Sequence, residues 1–292
     1  MKNILTFNLF LALIIIIISY ISTPENQILL NHHYLIGYFF VLIFMTALWI
    51  LSLLAKDASI VDIFWGPAFI VLAASLFNLM GVENNERSQW LLAFITIWGL
   101  RLAFHIGIRN VGHGEDFRYV QWRKEGGKNY WIISLFRVFI LQGSLATLVG
   151  VSIYLGFLNT AHFGDLEKIV LCSFFIFGLL WESISDIQLI QFRKNPENKG
   201  KIIQSGLWKF SRHPNYFGDL MVWISIVLFS VSSKNFLFIA MSTISPLLMG
   251  LIFYKITGPI MDNALALSKH GYKEYMQNSN SLIPKLYRRK IK

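Results

Sequence analysis

Cysteine is almost missing from this chain of 292 residues, where Cys172 stands alone. A single thiol excludes a disulfide framework and any zinc site built on paired cysteines. Charge is scarce as well, at 14% of residues against about 25% in an ordinary soluble domain, which argues against a water-soluble globule. Acids are the rarer sign, 16 against 26 basic residues, for a formal net charge of +10. Such a surplus can mark a nucleic-acid binder, but here the cations sit between apolar segments, and no nucleic-acid partner is expected. Phosphate-loop motifs are missing too. Gly112 and Gly114 form G-x-G, but position 117 is Phe, so there is no Rossmann fingerprint, and no Walker sequence occurs. The seven histidines supply no histidine box of the di-iron kind, and no metal is expected.

What the chain has is grease. Hydrophobic residues make up 55%, aromatics 15%, and the mean hydropathy is +0.53, which excludes disorder. A helix crossing about 30 Å of hydrocarbon needs roughly 20 apolar residues. Candidate stretches are Ile4–Ile21, Tyr34–Ala55, Ala58–Met80, Trp90–Ile108, Trp131–Leu158, Ile169–Leu189, Tyr216–Val231 and Phe236–Tyr254. Tyr216–Val231 is short and Trp131–Leu158 carries Arg137. The expectation is therefore an all-α, polytopic membrane helix bundle of seven to eight transmembrane helices. The first stretch lacks a small-x-small cleavage site before Pro24 and reads as an uncleaved helix. With the N-terminus in the cytoplasm, 21 Lys and Arg fall inside and only Arg87, Lys168 and Lys234 outside. By the positive-inside rule both termini are cytoplasmic, and the expected location is a bacterial inner membrane.

Ionisable groups within spans are costly and mark functional paths. Here they are Asp62, Arg101, His105, Arg137, Glu182, Asp186 and Asp219, all in the inner halves of their spans. Arg101 and His105 stand four apart, as do Glu182 and Asp186, so each pair shares a helix face. Asn215, Asp219 and Trp223 continue at the same spacing. These faces should turn toward one another around a polar, cytoplasm-facing cavity, since lipid would leave the charges unpaired. A transporter would place its charges at the midplane and show internal repeats; no repeat is found.

Two cytoplasmic loops are dense in functional residue types. RNVGHGEDFRYVQWRKEGGKNY, from Arg109 to Tyr130, packs Glu115, Asp116, Arg118, Tyr119, Trp122 and Arg123 into nine residues. QFRKNPENKGKIIQSGLWKFSRHPNY, from Gln191 to Tyr216, leads straight into the next span. Pro214 suits a first helical turn, and the amides there, beside Arg212 and His213, make an anion site suited to a phosphate-bearing cofactor. Asp186 and Arg193 share a face if their helix continues past the membrane. In the tail, Tyr272 and Tyr275 lie on an amphipathic helix ending near Pro284, and Lys285–Lys292 reads as a membrane-surface anchor.

SGLWKFSRHPNYFGDLMVW, preceded by SDIQLIQFRKNPENKGK and followed by GYKEYMQNSNSLIP, resembles the C-terminal region of the steroid 5α-reductase family. It is most similar to the bacterial branch of membrane proteins known as DUF1295. The resemblance takes in VDIFWG at Val61–Gly66 and GEDFRY at Gly114–Tyr119. It divides the chain into N-terminal helices over 1–56, a steroid-reductase-like membrane domain over 57–284 and a basic tail over 285–292. It implies an NADPH-dependent reductase that saturates a carbon–carbon double bond conjugated to a carbonyl in a lipid taken from the bilayer, with no obligate protein partner.

By the same resemblance the cofactor is held by Asp186 and Arg193, then Lys201, then Asn215, Asp219 and Trp223, with Tyr275 or Tyr272 as the terminal tyrosine and Arg101 near the cofactor. The phosphates would fall to Arg118, Arg193, Lys201, Arg212 and His213, while Asp116, Tyr119 and Tyr216 complete the cofactor set by stacking or hydrogen bonding. Where steroid reductases place a tyrosine that polarises the substrate carbonyl, this chain has Trp98. The proton donor is then Asp62 or His105. The rival reading is an S-adenosylmethionine-dependent methyltransferase of the isoprenylcysteine carboxyl or phospholipid methyltransferase type, families that share an RHPxYxG-like element.

Overall fold

The computed structural model describes residues 1–22, 32–231 and 236–285. Thr23 and Pro24, Lys234 and the basic tail 286–292, which enter the cleavage, orientation and anchoring expectations, lie outside the described residues. Helix accounts for 81% of the described residues, and no strand occurs among them. Six stretches there are long and apolar enough to cross a membrane: Asn3–Ile21, His33–Ala55, Glu86–Asn110, Phe117–Val149, Asp165–Lys194 and Phe236–Ser268. Two of the eight expected stretches fall short. Ala58–Met80 breaks at Phe64 into Ile60–Ile63 and the 15-residue Trp65–Leu79, and Pro214–Ser230 has 17 residues, against the roughly 20 a span requires.

The chain divides into two compact units, Met1–His162 with Phe229–Ile244, and Phe163–Leu228 with Ser245–Lys292. The first holds α1 (Lys2–Ser22), α2 (His33–Ala55), α3 (Ile60–Ile63), α4 (Trp65–Leu79), α5 (Glu86–Asn110), α6 (Phe117–Gly126), α7 (Tyr130–Ser134), α8 (Leu141–Val149) and α9 (Val151–Phe157). Its core forms where α4 meets α5. A Cβ on Gly99 would sit 2.8 Å from the Gly66 carbonyl oxygen, so the two backbones touch at a pair of glycines that no larger residue could replace. Beside this contact Trp98 is fully buried and meets Phe69 edge-on at 5.4 Å. Trp98 is thus a core residue.

The long stretch predicted over Trp131–Leu158 is not one regular helix. A π-helical turn, Leu135–Ile140, joins α7 to α8, and Gly150 separates α8 from α9. The π turn carries Arg137, whose guanidinium lies 4.5 Å over the Trp122 ring and 3.3 Å from Glu125. Arg87, counted on the outer side by sequence, is fully buried and donates to the carbonyls of Phe229 at 3.2 Å and His162 at 3.5 Å.

The second unit is built on α10 (Asp165–Lys194), α11 (Pro214–Ser230) up to Leu228, the part of α12 (Phe236–Leu251) from Ser245 onward, α13 (Gly258–Ser268) and α14 (Tyr272–Asn278). At 30 residues α10 is about 45 Å long, longer than the roughly 30 Å of hydrocarbon a span crosses. A π-helical turn, Ile252–Thr257, links α12 to α13. Helix α10 and helix α11 cross in backbone contact. A Cβ on Gly178 would lie 2.8 Å from the Val222 nitrogen, and one on Gly218 would lie 2.7 Å from Glu182 Cα.

Candidate functional site

Two polar clusters form, one in each unit. In the first, the GEDFRY segment folds back onto the chain around Asp62. Asp116 caps α6, its Oδ1 accepting from the Arg118 backbone N–H at 3.0 Å. This cap orients Arg118, which donates to Asp116 through Nε at 2.9 Å and to Asp62 Oδ2 at 2.7 Å. The next residue, Tyr119, is buried and reaches the same carboxylate. Its hydroxyl donates to Asp62 Oδ1 at 2.6 Å and accepts from Gln142 Nε2 at 3.2 Å. Glu115 binds the Asp62 side from outside, accepting from the Ala58 backbone N–H and from Arg123, both at 2.7 Å.

Burial pulls the Asp116 carboxyl upward, but the Arg118 guanidinium and backbone N–H outweigh it and hold that carboxyl below the usual carboxylate value. Arg101 and His105 are half-buried one turn apart on α5. Asp62 accepts from a guanidinium and a phenol, so the proton in this cluster rests on Tyr119. Gln142, which no sequence signal singles out, completes the phenol's environment.

In the second unit the α10–α11 crossing decides the geometry. Because Gly178 and Gly218 let the backbones touch, Glu182 and Asp186 of α10 come beside Asn215 and Asp219 of α11. Asn215 Nδ2 donates to Asp186 Oδ1 at 3.2 Å. Glu182, Asp186 and Asp219 are each at most 6% exposed, and Trp223 is fully buried. Since α10 is unbroken to Lys194, Asp186 and Arg193 are two turns apart on one face. Arg193 and Lys201 are exposed.

The connection from α10 to α11 is tied down at each step. Gln188 Oε1 accepts from the Leu207 N–H at 2.9 Å, and Trp208 Nε1 donates to the Ser185 carbonyl at 2.9 Å. Gly206 sits at φ +57, where a side chain would also run into Gln188. Backbone bonds then join this connection to the chain's last described residues: Arg212 N–H to Asn280, His213 N–H to Ser281, and Lys285 N–H to Phe210.

Arg212 and His213, read from sequence as anion ligands, turn to Asp262. Asp262 Oδ2 accepts from Arg212 Nε at 3.0 Å, and Oδ1 accepts from Tyr272 at 2.8 Å and meets His213 Nε2 at 3.1 Å. Arg212 also donates to the carbonyls of Met276 and Ser279. Burial and the Asp262 hydrogen bond together raise the Tyr272 hydroxyl's pKa, so it remains a donor. Tyr275 donates to the Trp208 carbonyl at 3.2 Å. His213 stacks on Tyr216 at 4.9 Å, and Tyr216 on Phe253 at 4.7 Å. Asp262 is the residue that sequence reading left without a role. Its only local signal is a lone acid in an otherwise uncharged helix, since its partners lie 10 to 50 positions away.

Fold and clusters together define an integral, all-helical membrane protein with polar groups buried at helix crossings. The chain belongs to the DUF1295 family, described as a protein of unknown function, whose profile matches residues 48–279. It is 28% identical over 234 residues to an uncharacterized protein of Schizosaccharomyces pombe, covering 70% of this chain and 67% of the other. No solved structure matches.

Proposed function

We propose that the protein is a membrane-embedded, NADPH-dependent reductase of a conjugated carbon–carbon double bond in a lipid or isoprenoid, on the steroid 5α-reductase side of its family. The observation that carries the reading is the α10–α11 crossing. It buries Asp186 and Asp219, brings the half-buried Asn215 against Asp186 and sets Arg193 on the Asp186 face. Polar groups sunk in a membrane helix pair are costly and seldom kept without a function.

The residues fit a dinucleotide. Asn215 Oδ1 is buried without a hydrogen-bond partner among the described residues and is an acceptor for an amide-bearing ring. Arg193 and Lys201, exposed at the end of α10 and just past it, suit phosphate. Arg118, Arg212 and His213 are committed to carboxylates, so phosphate contact falls to the first two.

When bound, NADPH supplies the hydride. The protein's own task is to hold the substrate carbonyl and offer a proton as negative charge grows on its oxygen. Tyr119 Oη suits that role, with Gln142 Nε2 donating to the phenol and Asp62 beside it. His105 is the second candidate donor. The reading takes α4 and α11 as short or re-entrant spans, which gives seven to eight crossings of a bacterial inner membrane with both termini cytoplasmic.

The methyltransferase reading draws on one observation, that Arg212 and His213 pair with the Asp262 carboxylate. Thermal melting in lipid nanodiscs separates the two. NADPH is expected to raise the melting temperature, and Asp219→Ala and Arg193→Ala to abolish that rise while both variants still fold. A rise with S-adenosylmethionine and none with NADPH, or NADPH affinity unchanged in both variants, overturns the reductase reading.

A further inference from the structure

The end of α10 receives a cation from a distant segment. Lys269 follows α13 directly, and its Nζ donates to the Lys201 carbonyl oxygen and lies 6.0 Å over the Phe192 ring. Phe192 is in the last turn of α10 and precedes Arg193, so this geometry brings the Lys269 ammonium to the turn that bears the Arg193 guanidinium. Holding one cation near another in a half-buried place opposes folding. Burial and Arg193 accordingly lower the Lys269 pKa. Attraction to the carbonyl end of α10 is a weak reason for the arrangement, because Asn198 Nδ2 already donates to the Phe192 carbonyl at 3.0 Å. The turn that holds Asn198 is itself fixed by Asn195, whose side chain accepts from the Glu197 N–H at 3.0 Å. Lys269 and Arg193 are therefore neighbours on a shaped connection whose backbone includes Lys201.

We infer that Lys269, with Arg193 and Lys201, forms a binding site for a phosphate ester, in which an anion relieves the repulsion between the gathered cations. Several cations facing one phosphate give short, charge-assisted hydrogen bonds. On the reductase reading, this is the phosphate that distinguishes NADPH from NADH, and Lys269 sets that preference. The site has a second possible source of the same chemistry, the headgroup of an anionic lipid.

The test uses the full chain in phosphatidylcholine nanodiscs, comparing wild type with Lys269→Met and Lys269→Arg. NADPH and NADH are titrated by tryptophan fluorescence, and melting is followed with inorganic phosphate. Lys269→Met is expected to weaken NADPH about tenfold or more, to leave NADH within about twofold, and to erase stabilisation by phosphate, while Lys269→Arg retains all three. If wild type binds neither dinucleotide, the reductase reading fails and the phosphate arm alone decides the site. A Lys269-dependent stabilisation found only in phosphatidylglycerol nanodiscs assigns the site to a lipid headgroup. The inference is overturned if Lys269→Met weakens NADPH and NADH equally, or if it leaves the responses to NADPH, phosphate and phosphatidylglycerol unchanged.

Discussion

The glycine at position 218 offers a quantitative check on how the second unit is assembled. A Cβ there would lie 2.7 Å from Glu182 Cα and 2.8 Å from Glu182 Cβ, whereas relaxed carbon contacts are about 3.5–4.0 Å. The atoms in the way are at or next to the α10 backbone, so no side chain can swing aside, and the helices must part by about 1 Å. The Asn215–Asp186 hydrogen bond, at 3.2 Å, has no slack for that displacement. Overpacking costs about 1–3 kcal/mol and the lost hydrogen bond about 1 kcal/mol. Alanine returns about 1 kcal/mol of helix propensity.

Gly218→Ala should therefore destabilise by about 1–3 kcal/mol, a fall in melting temperature of roughly 2–5 °C for a chain of this length. The control is the same change at Gly250, where a Cβ meets only Leu220 Cδ1 at 3.8 Å. Gly250→Ala should melt at or slightly above the wild-type temperature. Unfolding in nanodiscs can be followed through the thiol of Cys172, which lies on α10 itself. A Gly218→Ala protein that melts as high as Gly250→Ala would refute the backbone-to-backbone crossing, and with it the basis of the proposed site.

Asp262→Ala leaves Arg212 and His213 buried without their carboxylate and should cost about 3–5 kcal/mol, read as a large drop in melting temperature; a drop no greater than that of Tyr272→Phe would show that Asp262 is not the hub of this network. Asp116 predicts a pH dependence. Its folded carboxyl is held below the unfolded value of about 3.9, so its stabilisation is complete above that value and lost as pH falls through the lower folded one. The melting difference between wild type and Asp116→Asn should be flat at neutral pH and shrink toward zero in strong acid, and a difference that persists there contradicts the Arg118 pairing.

Helix content and membrane residence were legible along the chain because both follow from local quantities: runs of apolar residues, sparse charge and the length of a helical rise. The same local logic put Asp186 and Asp219 on buried helical faces. It also placed Asp186 and Arg193 on one face, because a single helix fixes that spacing. Which cation serves which acid was not legible. Arg212, His213 and Arg118 look identical in sequence to free phosphate ligands, and only their approach to Asp262, Asp62 and Asp116 in three dimensions commits them. Tyr119 similarly became a partner of Asp62 once GEDFRY folded back across 57 positions. The glycines at 178 and 218 carry no side chain to announce a role; their meaning exists only in the distance between two helices. Hydrophobic length acts along a chain, whereas charge pairing and close packing act across space, and that physical difference separates what could be read in order from what needed the folded protein.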